Sequence, residues 1–245
     1  MRSKKIYFFV LFALIGYSCS KVADSEKIDA DDAFKDGFDS LSYFVDSSGV
    51  IHNRIIDEFK DSVDFFGSYN LEGRVHFVEN YFIRNYGRLN GFYDAINYNQ
   101  SIISEFERID SLITTTYDGI EYVREMYSDN KIDSINYQYF EEIFLALANA
   151  TSVQNLKDRI DSLRTDVYND SRLLMEEKTS LSLIFNIAVS SYEYWNQVKL
   201  PWYARDVAGA MAGVQSGVVG YIGLWCPWCG AAALIGCGAV ASMLE

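Results

Sequence analysis

Ile102-Ile103-Ser104-Glu105-Phe106-Glu107-Arg108-Ile109-Asp110-Ser111-Leu112-Ile113 is the stretch whose reading decides the fold. Its large apolar residues fall at spacings of 1, 3, 3, 3 and 1. They therefore share one face of a helix and leave the charged residues on the other. The same period recurs in Tyr139, Phe140, Ile143, Phe144 and Leu147, and in Val153, Leu156, Ile160, Leu163 and Val167. It continues through Leu181, Ile184, Ile187, Ala188, Ser191 and Trp195. Toward the N-terminus, Ile55, Ile56, Phe59, Val63 and Phe66 make a shorter stripe, and Val75, Val78 and Phe82 another. Turn-forming residues part these runs at Gly67-Ser68, Gly87 to Gly91, Ser128-Asp129-Asn130 and Asn169-Asp170. The chain holds no sustained alternation bounded by hairpin turns. Its only prolines are Pro201 and Pro227, which leaves room for long helices. The expectation is an all-α bundle of about six helices over residues 33–200, followed by a C-terminal Gly-rich helical hairpin. Aromatic residues at helical spacing read as core.

Composition changes at the start of that hairpin. After Asp206 no charged residue occurs from Val207 to Leu244. Gly209, Gly213 and Gly217 stand four apart, and Gly220 and Gly223 follow. A glycine inside a helix costs about 1 kcal/mol relative to alanine. A ladder of them makes sense where a second helix approaches closely along that face. The segment 201–245 then reads as two arms, Val207 to Leu224 and Cys229 to Leu244, joined by a turn at Trp225 to Trp228. Arms of this length sit near the lower limit for spanning a bilayer. The pair either packs on itself and the body or enters a membrane with Trp225 and Trp228 at the interface. The run from Asp206 to Gly217 and the Gly/Ala stretch behind it resembles the glycine-zipper region of class II bacteriocin-type peptides. That resemblance covers about 40 residues at the C-terminal end and implies an element that inserts into a target membrane. Those peptides are small, cationic and released by a double-glycine leader, whereas this chain is large and acidic.

Cys226, Cys229 and Cys237 lie in the same segment. Trp225-Cys226-Pro227-Trp228-Cys229 resembles the redox motif of thioredoxin-like proteins, but only 16 residues follow it, too few for that fold. Outside the cytoplasm the expectation is one disulfide, Cys226 to Cys229 or one of them to Cys237, with an odd thiol left over. Three thiols without a fourth ligand do not make a zinc site, and no metal or cofactor is expected.

At the other end, Met1-Arg2-Ser3-Lys4-Lys5 is followed by the uncharged apolar run Ile6 to Tyr17 and then Gly16-Tyr17-Ser18-Cys19. Cations, a short apolar run and small residues in that order read as a secretory signal over residues 1–18. The cysteine behind it resembles the lipobox of Gram-negative bacterial lipoproteins, with Tyr17 departing from the usual small residue. The resemblance implies cleavage before Cys19 and acylation of that residue. The chain is then exported and lipid-anchored in the cell envelope, in the outer membrane. Residues 19–32 read as a flexible acidic tether.

The formal charge of -13 disfavours nucleic acid and anionic headgroups as partners. His52 and His76 have no metal-ligand spacing, and there is no His-Glu-x-x-His motif or phosphate loop. Glu141-Glu142 and Glu176-Glu177 point to different helix faces. The expectation is a non-enzyme whose body binds a protein partner and whose tail packs or meets membrane, with a bacteriocin-like effector as the alternative. A cell-surface enzyme ranks third. Asp-Ser-aliphatic tripeptides recur at Ser40, Ser62, Ser111, Ser134 and Ser162. They are similar to the acceptor motif of a general O-glycosylation system of Gram-negative gut-type bacteria, which implies glycan on those serines.

Overall fold

Four of the helices start where a short polar side chain takes over the backbone donors that a helix leaves unpaired. Asn99 accepts from the amides of Ser101 and Ile102, Asp133 from those of Ile135 and Asn136, and Ser152 from that of Asn155. Thr115 and Asp118 form a reciprocal capping box. The computed structural model describes residues 30–62, 70–86, 91–196, 202–223 and 227–244, with side chains undescribed at 30–42, 221, 222, 227 and 228. Cys19, Cys226 and the signal-like segment lie outside the described residues, as do Val63 and Phe66.

The described residues are helical throughout, with no strand. The helices are α1 (Ala30–Ser62), α2 (Leu71–Tyr86), α3 (Phe92–Asn97), α4 (Gln100–Leu112), α5 (Thr116–Ser128) and α6 (Ser134–Ala148). They continue as α7 (Val153–Asn169), α8 (Met175–Asn196), α9 (Tyr203–Gln215), α10 (Val218–Gly223) and α11 (Pro227–Ser242). Eleven described helices replace the expected six and two hairpin arms. The six stripes correspond to α1, α2, α4, α6, α7 and α8. α3 is too short to show a stripe, and α5 has one beyond the expected six: Ile120, Val123 and Met126 stand three apart and are buried beside Thr116, Gly119 and Tyr122. The first expected arm breaks into α9 and α10 at Gly217, whose φ of 78° lies in the left-handed region that glycine enters without steric cost. At the other end the described part of α1 already includes residues 30–32, inside the expected tether.

The chain divides into two units, Met1–Gly37 and Phe38–Glu245. In the second, the amphipathic helices turn most of their stripes inward as the spacing predicts, although Leu112 of the α4 stripe stays 42% exposed. Ile55, Ile56, Val75, Val78, Phe82, Ile102, Phe106, Ile109, Phe140, Ile143, Phe144, Leu156, Ile160, Ile184 and Ile187 are all buried. The residues they close upon belong to the uncharged C-terminal helices. Every residue from Ala204 to Gly213 is buried, and so is every one from Cys229 to Leu244. α9 touches α4, α5, α6, α8, α10 and α11, and α11 touches α2, α4, α8, α9 and α10. A helix that is apolar on all sides must be covered on all sides, and here the surrounding helices cover it. Among the described residues no helix is long and apolar enough to cross a membrane.

Candidate functional site

α9 and α11 run antiparallel at close range. Arg205 meets the Leu244 carbonyl, and a Cβ placed on Gly209 would collide with Ala241 Cβ and lie 2.6 Å from the Cys237 carbonyl oxygen. A Cβ on Gly213 would lie 2.8 Å from Cys237 Sγ. Gly209 thus admits the backbone of α11 and Gly213 the Cys237 side chain, which no larger residue permits without a shift. The other three glycines of the ladder behave differently. Gly217 makes the turn, Gly220 faces open space, and Gly223 meets Gly230 near the far end of α11. Gly230, Gly236 and Gly238 in α11 are also closely approached, less tightly than Gly209, and were not singled out by spacing: Gly236 accommodates Phe92 and Val78, and Gly238 lies against Asp206 and His52.

At that last contact polar chemistry enters the core. His52 on α1 and Asp206 on α9 are both 0% exposed, with His52 Nε2 3.7 Å from Asp206 Oδ2. Trp195 on α8 donates its indole N–H to Asp206 Oδ2 at 2.9 Å. His52 Nδ1 lies 3.0 Å from Asn53 Oδ1 and 3.5 Å from Ser191 Oγ. Burial pushes the Asp206 carboxyl above the usual carboxylate range, and this prevails over His52, Ser242, Ser191 and Trp195, which all favour the charged form. Asp206 Oδ1, His52 Nε2 and Ser242 Oγ each lack a hydrogen-bond partner. A proton is required between His52 and Asp206, because otherwise two acceptors face each other in a dry site.

Outside this cluster Lys60 donates to the Tyr194 hydroxyl at 2.8 Å and lies 4.0 Å above the Trp195 ring. Tyr194 in turn donates to Asp57. Burial lowers the Lys60 pKa although Asp57 and Asp206 pull it upward. On the other side of Asp206, Arg205 donates to the carbonyls of Asp110, Ile113 and Leu244 at 3.2, 2.9 and 2.6 Å. A guanidinium on these carbonyls satisfies acceptors that the ends of α4 and α11 leave unpaired.

Asp206, His52 and Ser191 group an acid, an imidazole and a hydroxyl, as nucleophilic catalysis requires, but all three are 0% exposed and no substrate can reach them in this structure. Among the described residues no group of three His, Cys, Asp or Glu is placed to hold a metal ion. Cys229 is disulfide-bonded, while Cys237 is a buried free thiol whose pKa burial drives upward. Of the Asp-Ser serines, Ser62, Ser111, Ser134 and Ser162 are exposed, and the Ser40 side chain is outside the described set. His76 stacks on Tyr93 with ring centroids 3.7 Å apart, far in sequence from His52. The one sequence signal for the buried cluster is the position of Arg205-Asp206, the last charges before the uncharged stretch. Compared with protein-family models, curated proteins and solved structures, the chain matches none.

Proposed function

We propose that this chain is a non-catalytic lipoprotein of the bacterial cell envelope, anchored through Cys19, whose helical body serves as an interaction domain. Its Gly-rich hairpin is the core of that body in the resting state. The observation that supports this is the burial of α9 from Ala204 to Gly213 and of α11 from Cys229 to Ser242: surface already buried in protein is unavailable to lipid. Membrane attachment then falls to the acyl chains, each buried methylene of which adds about 0.8 kcal/mol. The negative charge of the body gives it no attraction to anionic headgroups or nucleic acid. Fractionation of a Cys19→Ala variant tests the reading. Full release into the soluble fraction is expected, and retention in the membrane pellet overturns it.

A second reading is favoured by the apolarity of α11 on every side: the chain is an effector that stores an inserting hairpin inside an amphipathic shell. Dye leakage from liposomes on adding the full chain supports this reading, and intact liposomes under conditions that loosen the fold count against it.

A further inference from the structure

α1 and α2 flank an open pocket of about 500 Å³, remote from the buried cluster and within the size range of small-molecule sites. Its aromatic wall is Tyr43, Tyr81 and Tyr86, with the Tyr81 and Tyr86 ring centroids 6.4 Å apart. Tyr81 is 2% exposed while Tyr43 is 48% exposed, so one ring anchors the floor and another is free as a platform. Phe44 packs behind Tyr86 at 5.1 Å, which fixes the wall to the core. Burial raises the Tyr81 and Tyr86 pKa values, helped at Tyr81 by the Glu58 carboxylate and at Tyr86 by the Tyr81 and Tyr43 hydroxyls, so both remain neutral donors at physiological pH.

Three carboxylates and one guanidinium line the pocket, and Arg84 beside Glu58 and Lys60 beside Asp57 offset the remaining negative charge. Glu58 is engaged by Arg84 at 2.9 Å, and Asp57 accepts from Tyr194. Arg54 and Asp61 are left, one cation and one carboxylate, neither in an ion pair with a described residue. Asn85 uses its N–H on the Tyr81 carbonyl and keeps its side-chain oxygen for other donors. An anion here meets three carboxylates, a cation meets Arg54, and an apolar ligand leaves the polar groups dry and unpaired.

We infer that this pocket binds a neutral saccharide unit. Each sugar hydroxyl both donates and accepts, which matches a lining of hydroxyls, a guanidinium, an amide oxygen and a carboxylate. The C–H face of the ring has the exposed Tyr43 ring to stack on. This site is independent of the anchor and of the hairpin.

Isothermal titration and saturation-transfer NMR on the purified full chain test the inference. The probes are neutral gluco-, galacto-, manno- and xylo-oligosaccharides, with oligoglucuronate, oligolysine and inorganic phosphate alongside. Saturable binding of at least one neutral series is expected, with contacts to the sugar C–H face. Tyr43→Ala and Arg54→Ala, both at exposed positions, should each weaken it tenfold or more with unchanged circular dichroism. Tyr168→Ala, outside the pocket, should leave it intact. No binding by any neutral series, binding that ignores Tyr43 and Arg54, or preference for a charged probe overturns the inference.

Discussion

Replacing Asp206 by Asn should stabilise the protein at neutral pH, against the intuition that breaking a buried His–Asp pair is harmful. At an effective dielectric of about 20, charges 3.7 Å apart attract by about 4 kcal/mol. Removing two ions from water costs several kcal/mol each. The raised pKa of Asp206 shows which side prevails: burial outweighs the help of His52 and the neighbouring donors. The substituted amide keeps an oxygen for the Trp195 N–H, the one well-formed hydrogen bond of the carboxylate. The expected gain at pH 7 is about 1–3 kcal/mol, because ionising a buried carboxyl against its raised pKa costs about 1.4 kcal/mol per pH unit of the difference. For a chain of this size that is a rise of about 2–12 °C in Tm. The pH dependence carries the sharper test. Because the folded pKa lies above the unfolded one, the stability contributed by Asp206 is fully present below the unfolded value near 3.8 and is lost as pH rises through the folded pKa. The advantage of Asp206→Asn over wild type should therefore shrink as pH falls from 7 toward 4. Urea denaturation followed by circular dichroism at several pH values measures it. A variant less stable than wild type at pH 7, or a difference that does not change with pH, refutes the reasoning.

Other substitutions separate tight from open positions. Gly209→Ala should cost about 1–3 kcal/mol in denaturant melts, because its Cβ meets the backbone of α11. Gly220→Ala, whose Cβ meets nothing, should be neutral or stabilise by up to about 1 kcal/mol. Arg205→Met should destabilise by about 2–4 kcal/mol in the same assay, since it strands the carbonyls of Ile113 and Leu244 in a buried site. If the Asp-Ser motifs are glycan acceptors, intact-mass analysis of native protein should show added hexose-type mass that maps to Ser62, Ser111, Ser134 or Ser162. A mass equal to polypeptide plus acyl chains removes that idea.

The helical class was legible because the stripes on α4, α6, α7 and α8 consist of large aliphatics and aromatics, whose burial needs no special neighbour. Leu181, Ile184, Ile187, Ala188, Ser191 and Trp195 all lie in the core. α5 shows the same period more weakly, in Ile120, Val123 and Met126, and the burial of Gly119 against the Phe144 ring depends on another helix. The buried cluster was hidden likewise. His52 and Asp206 are far apart in sequence, and only the register of α1 against α9 makes them partners. Glycine spacing indicated a close approach at Gly209 and Gly213 but could not tell these from Gly217, whose conformation rather than its neighbours demands glycine.

That last distinction bears on the two functional readings. At about 1.5 Å per residue, α9 and α11 are about 20 and 24 Å long, short of a hydrocarbon core of about 30 Å. Membrane entry therefore requires α9 and α10 to merge into one helix, and only the Gly217 turn separates them. The uncharged part of the merged helix, from Val207 to Gly223, would reach about 25 Å, the lower edge of a spanning length. Gly217→Ala biases this step. Alanine is disfavoured by about 1 kcal/mol or more at a φ of 78°, so the folded form is destabilised, and it favours the continuous helix by a similar amount. Under the effector reading Gly217→Ala should lower Tm and increase liposome leakage together. Under the resting-core reading it should lower Tm and leave liposomes intact. Gly209→Ala loosens the same pair of helices without touching the turn, so leakage that rises equally in both variants would assign the effect to general unfolding and not to helix merger.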